Sequence, residues 1–185
     1  MSVLREYPSD ADPSTYCDHT ALGDIVAAAA RSGILFERWR ADHALPPGAG
    51  QAEVLAVYRE SVERLSRERG FATADVVRMS PEAPNHDAIR RKFLEEHTHA
   101  EDEARFFVEG AGLFVIHRAP SVICVLCEAG DLINVPAGTP HWFDMGPRPR
   151  FAAIRLFTSQ EGWVARYTGS DIAARFPRMG EGCIA

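Results

Sequence analysis

Residues 93–110 read FLEEHTHAEDEARFFVEG, and this stretch decides the fold. His97 and His99 lie two apart, and Glu103 and Arg105 follow at the same parity. In an extended strand, side chains two apart share a face, so the two imidazoles converge on one point. A local turn in residues 100–102 would weaken the parity argument for Glu103 but not for the histidine pair. Two imidazoles on one inward face have no packing rationale, and desolvating them without a metal or polar partner is costly. With the carboxylate they form the nucleus of a metal site.

A fourth ligand is expected from a neighbouring strand. His141, in VPAGTPHWF (135–143), follows a Pro/Gly turn that can swing it toward the same point. Three nitrogens and one oxygen suit Fe²⁺, Ni²⁺, Mn²⁺ or Co²⁺ in octahedral geometry, with two positions left for substrate or water. A structural zinc site closes all four positions and favours thiolates. His19, His43, His86 and His117 have no such partners in sequence and read as satisfied or exposed side chains.

Downstream of Phe93 the chain is a series of short β-rich segments. EARFFV and LFVIH flank EGAG as a hairpin signal, and SVICVLCE, LINV, HWFDM and FAAIRLF follow, each bounded by turn residues. This pattern predicts an antiparallel barrel or sandwich. Upstream, the reading is mainly helical. TALGDIVAAAARSG (20–33) offers Thr20 as N-cap and Gly33 as stop. ILFERW (34–39) reads as a strand, Val54, Tyr58, Val62 and Leu65 form one helical stripe ending at Gly70, and a short helix is expected over Asp87 to Lys92. The tail EGWVARYTGSDIAARFPR reads as a strand and a closing helix capped by Ser170 or Asp171. Without repeats or linkers, the expectation is one domain over 1–185, in which a mainly helical part (1–92) packs on a β-barrel core and closing segment (93–178).

Composition agrees. The chain has 185 residues, 46% apolar and 25% charged, within the range of soluble globular domains and long enough for a sizeable core. The net charge is −6, which disfavours a nucleic-acid partner. Lys92 is the single lysine among the 20 basic residues. The longest apolar runs, 25–30 and 122–127, fall far short of the ~20 residues of a membrane span. The N-terminus MSVLREYPSD has neither a secretory h-region nor a myristoylation Gly, so the cytosol is the expected compartment. Cys124 and Cys127 form a C-x-x-C that could be half a zinc site or a redox pair. An odd spacing on a strand instead points them to opposite faces, as buried free thiols.

His97-x-His99-x₃-Glu103-x₆-Gly110 and Gly130-x₅-Pro136-x-Gly138-x₂-His141 resemble the two motifs of the cupin superfamily, with Arg91 and Met145 departing from it at non-ligand positions. Within the cupins, residues 84–178 closely resemble the bacterial acireductone dioxygenases of methionine salvage. The resemblance implies a cupin-type jelly roll, mainly β with helices packed on it. It also implies cleavage of 1,2-dihydroxy-5-(methylthio)pent-1-en-3-one with O₂. One Fe²⁺ or Ni²⁺ per chain would be held by His97, His99, Glu103 and His141. The Fe²⁺ form would give 4-methylthio-2-oxobutanoate and formate, and the Ni²⁺ form 3-(methylthio)propanoate, formate and CO.

Beside such a site the Arg105 guanidinium would lower the cost of forming a substrate dianion, the competing reading being a salt bridge among its glutamate neighbours. Glu96 and Asp102 flank the ligands, where acidic groups orient metal-bound imidazoles. The resemblance gives them roles in metal loading or in relaying conformational change, although strand parity would put Glu96 on a solvated face. Phe93, Phe143, Arg155 and Trp163 fall where the family builds its substrate pocket, and the aromatics among them could equally be core. The rival readings are another metal cupin, a dioxygenase or isomerase, and a non-catalytic cupin that binds a small molecule. The expected partners are the acireductone and O₂, with no nucleic acid or membrane, and the expected state is a monomer.

Overall fold

The computed structural model of the protein describes residues 1–46, 48–159 and 164–180. The strands are β1 (Val3–Tyr7), β2 (Cys17–His19), β3 (Leu35–Arg38), β4 (Thr73–Met79), β5 (His97–Thr98), β6 (Glu103–Arg118), β7 (Ser121–Glu128), β8 (Asp131–Val135), β9 (His141–Asp144), β10 (Phe151–Phe157) and β11 (Arg166–Tyr167). The helices are α1 (Leu22–Arg31), α2 (Gln51–Val57), α3 (Arg59–Arg69) and α4 (His86–Phe93), and a 3-10 turn covers Ile172–Ala174.

Every strand pairing is antiparallel, and β6 organises them all. Its first half pairs with β10 and β8, through Arg105↔Arg155 and Arg105↔Ile133. Its second half pairs with β7 and β9, through Val115↔Cys124 and Ile116↔His141. One sheet therefore runs β11-β5-β9-β6-β7-β1-β2, and the other β4-β10-β6-β8-β3, the two sharing β6. The ladder stays open among the described residues, ending at β2 and β11 in one sheet and at β3 and β4 in the other. Phe107, Phe114, Phe143 and Phe151 fill the largest core cluster.

The expected hairpin at EGAG is corrected: residues 103–118 are one continuous strand. Gly110 lies at φ +66°, and a Cβ there would sit 1.8 Å from the Arg150 carbonyl oxygen. The register against β10 shifts between Ala152 and Ala153. A β-bulge uses the same glycine signal as a tight turn, and here it bends β6 from one sheet into the other.

The N-terminal residues add β1, β2 and β4 to the expected helices and to the expected strand at 34–39, which is β3. β1 pairs with β7, β3 with β8 and β4 with β10, so these residues extend both sheets. α1 begins after Ala21, with no side-chain cap from Thr20, and stops before Gly33 at φ +70°. The stripe Val54, Tyr58, Val62 and Leu65 packs on one core, but the helix breaks at Tyr58 into α2 and α3. The closing helix is only the 3-10 turn, where Ser170 Oγ accepts from the Ile172 N–H at 3.2 Å. Cys124 and Cys127 are buried in different clusters, on opposite faces of β7 as their spacing requires.

Candidate metal centre

Three short backbone pieces bring the predicted ligands together. His97 lies on β5 and His99 just beyond it, while Glu103 opens β6. His141 opens β9 and pairs with His97 on one side and Ile116 on the other. One ligand nitrogen from each histidine lies within 4.8 Å of the other two. Glu103 Oε2 lies 3.5 Å from His99 Nε2 and 3.4 Å from His141 Nε2. Ligands about 2.1 Å from a first-row metal stand about 3.0 Å apart at right angles and about 4.2 Å apart across it, so the three histidines are near the spread one ion requires, and Glu103 adds an oxygen beside two of them. All four side chains are at least 93% buried.

Backbone carbonyls set the ring orientations. His97 Nδ1 lies 2.7 Å from the Glu95 carbonyl oxygen, and His141 Nδ1 lies 2.8 Å from that of Thr139. Donation there leaves each Nε2 as a lone pair facing the centre. Burial, reinforced by His141, lowers the His97 pKa to about 4, and burial lowers that of His99. Both rings are therefore neutral ligands at neutral pH. Burial alone would raise the Glu103 pKa, but Arg105 and His141 outweigh it and hold the carboxylate well below its usual range. Glu103 Oε2 and His141 Nε2 are buried without a hydrogen-bond partner. Orphaned polar atoms at this depth are costly, and a divalent cation among these donors satisfies them together.

Arg105 is buried beside the centre, and its Nη2 donates to Glu103 Oε1 at 2.6 Å. The guanidinium carbon lies 4.6 Å from the Phe114 ring centroid and 4.7 Å from that of Phe143. Its Nε and Nη1 are buried with no partner. The salt bridge to a neighbouring glutamate is therefore present, and two donor atoms remain spare beside it. A cavity of about 130 Å³ opens here, lined by the three histidines, Arg105, Phe93, Phe143 and Arg155, and also by Lys92, Ala165 and Tyr167. Phe93 and Phe143 meet edge to face at 5.9 Å. Gly112 makes room for Phe143, since a Cβ there would fall 2.3 Å from Phe143 Cζ. Arg155 is clamped by Asp75 at 2.9 and 2.6 Å. Trp163 lies outside the described residues. A larger groove of about 700 Å³ between α1 and α3 is lined by none of these ligands.

The two flanking carboxylates do not orient the imidazoles, which corrects that expectation. Glu96 is 4% exposed rather than solvated. Its Oε1 lies 2.8 Å from His117 Nδ1 and its Oε2 accepts from Thr168 Oγ1 at 2.5 Å, while His117 Nε2 reaches Asp10 at 3.1 Å. This ties β5 to β6, to β11 and to the N-terminal loop. Asp102 accepts from the Ala137 N–H at 2.9 Å and from Asn134 Nδ2 at 3.3 Å, bracing the turn that delivers His141. The sequence reading missed Lys92 and Tyr167 as cavity residues. Parity on a two-residue strand gave no signal for Tyr167, whose ring lies 6.1 Å from His97. His19, His43, His86 and His117 lie outside the histidine cluster, as expected.

An antiparallel two-sheet fold that presents three histidines and a glutamate from adjacent strand ends defines a metal-binding cupin. Within that class the chain belongs to the ARD/ARD' family, whose model matches residues 6–165. An acireductone dioxygenase of Synechococcus sp. is 58% identical over 155 residues, covering 84% of this chain and 83% of the relative. One of Pseudomonas aeruginosa is 56% identical over 179 residues, covering 97% and 99%. The solved structure of an acireductone dioxygenase from Bacillus anthracis, with cadmium ion in its active centre, superposes with a TM-score of 0.78 at 31% identity, covering 90% of this chain and 98% of that one. Among the described residues no helix is long and apolar enough to cross a membrane.

Proposed function

We propose that the protein is a metal-dependent acireductone dioxygenase of methionine salvage, acting on 1,2-dihydroxy-5-(methylthio)pent-1-en-3-one and O₂. The observation that carries this reading is a set of buried, unpartnered polar atoms gathered at the three-histidine cluster and its cavity: Glu103 Oε2, His141 Nε2, and Arg105 Nε and Nη1. His97, His99, Glu103 and His141 hold the ion. Fe²⁺ or Ni²⁺ bound there supplies Lewis acidity and the means to react with O₂.

The chain's own residues do the rest. Arg105 offers two spare N–H donors to adjacent enediolate oxygens, and its charge favours the dianion over the protonated acireductone. Phe93 and Phe143 form the apolar wall for the methylthio tail, with Arg155 beside them. Arg155 stays a cation because Asp75 outweighs the effect of burial. Glu96 and Asp102 are positioning residues, holding β5 against β11 and the 136–140 turn against β6. We place the enzyme in the cytoplasm as a monomer. The test is O₂ uptake with acireductone by pure, metal-loaded protein; no uptake above the spontaneous rate with either metal removes the enzyme assignment.

A further inference from the structure

Among the described residues three cations line the cavity, and two of them are held in ion pairs. Arg105 is paired with Glu103 and Arg155 with Asp75, each at 2.6 Å. The third is Lys92, in the last turn of α4, exposed at the rim of the same cavity. Among the described residues it has no ion pair. It is also the chain's single lysine, against 19 arginines. An ammonium on a flexible stem is a mobile point charge, whereas a guanidinium fork is suited to fixed, two-point pairing. The two arginines here occupy fixed pairs, and the lysine is left, among the described residues, outside any ion pair at the entrance.

We propose that Lys92 is the substrate-capturing cation of this site, drawing the anionic enediolate to the cavity mouth and holding its charge as it enters. This rests on the reading of the site as an acireductone site. The chain as a whole carries −6, so an approaching anion meets an unfavourable average field. An uncompensated positive charge at a narrow entrance focuses the local field and raises capture. A bound divalent ion adds positive charge at the cavity floor, and Lys92 acts earlier, at the rim. The competing role is helix stabilisation, because Arg90, Arg91 and Lys92 all lie in the last turn of α4, where cations favour the helix dipole. Arg90 is committed to Asp144 at 2.7 Å, and Arg91 does not line the cavity, so Arg91 is the matched control.

The experiment compares metal-loaded wild type, Lys92→Gln, Lys92→Arg and Arg91→Gln by steady-state O₂ uptake at low and high salt. Expected is a KM for acireductone at least tenfold higher in Lys92→Gln, a rise exceeding any fall in kcat, with a flattened salt dependence of kcat/KM. Lys92→Arg recovers most of the loss, and Arg91→Gln stays within about twofold of wild type. A wild-type KM and salt slope in Lys92→Gln, or an equal loss in Arg91→Gln, overturns the proposal. A second measurement does not depend on turnover: anaerobic acireductone should slow modification of the single lysine by trinitrobenzenesulfonate, read by peptide mass. Protection without O₂ uptake overturns the dioxygenase reading while keeping Lys92 as the anion-capturing group. An unprotected Lys92 in an enzyme that turns over overturns the capture role.

Discussion

Arg105 donates one N–H to Glu103 at 2.6 Å and keeps its Nε and Nη1 buried and unpartnered. One guanidinium thus keeps the Glu103 carboxylate ionised while leaving two donor atoms for a ligand. Arg105→Ala should lower kcat by about 100-fold or more, the scale for losing a preorganised donor to developing negative charge. Metal affinity should fall less than on loss of a ligand. Arg105→Lys should recover only part of the turnover, because an ammonium lacks the planar two-point geometry. Parallel kcat, KM and metal measurements check this; near wild-type turnover in Arg105→Ala would reduce the residue to a counter-charge for Glu103.

Replacing His97, His99, Glu103 or His141 by Ala should weaken metal binding by more than the ~10–100-fold seen for groups that merely support ligands. A metal that binds only the folded state raises the melting temperature, by an amount that grows with the logarithm of its affinity. Wild-type protein should therefore gain thermal stability on adding Ni²⁺, and each variant should lose most of that gain. Elemental analysis and thermal melts decide it; full occupancy in His141→Ala would remove that residue from the set.

Gly112→Ala places a methyl group 2.3 Å from Phe143 Cζ. Overpacking of this kind costs about 1–3 kcal/mol, and the displaced ring lies in the pocket wall, so a lower melting temperature and a higher KM are expected together. The double variant Gly112→Ala/Phe143→Leu should regain stability. Wild-type stability and KM in Gly112→Ala would show that Phe143 has room to move.

Asp144, three residues after His141, is 1% exposed and accepts from Arg90 at 2.7 and 3.0 Å, from the Gly146 N–H at 2.8 Å and from the Met179 N–H at 2.9 Å. Asp144→Ala would strand these donors, and breaking a buried pair costs about 3–5 kcal/mol. Denaturant melts should show a loss of that size; a loss under 1 kcal/mol would mean that water replaces the carboxylate.

Residues 93–110 carried most of the site in sequence because the strand period of two acts directly on side chains. His97 and His99 follow it, and so do Glu103 and Arg105 along β6. The two pairs meet only because the chain bends at 100–101 before β6 starts at Glu103, which parity could not establish. The bulge at Gly110 was hidden because its glycine signal is shared with a hairpin. β4 was hidden because it is half-buried from Thr73 to Arg78, with only Met79 buried, and lacks the apolar alternation that marks a one-sided strand. Glu96 was misplaced because its partners, His117 and Thr168, are 21 and 72 residues away, and such pairing leaves no local trace.

The most direct test of the central claim uses a single preparation of metal-free protein, split and reloaded with Fe²⁺ or Ni²⁺, then given acireductone and O₂ with product analysis. Both halves should consume O₂ and release formate. The Fe²⁺ half should yield 4-methylthio-2-oxobutanoate, and the Ni²⁺ half 3-(methylthio)propanoate and CO. Stoichiometric metal in both halves, with no O₂ uptake above the spontaneous rate in either, would contradict the account.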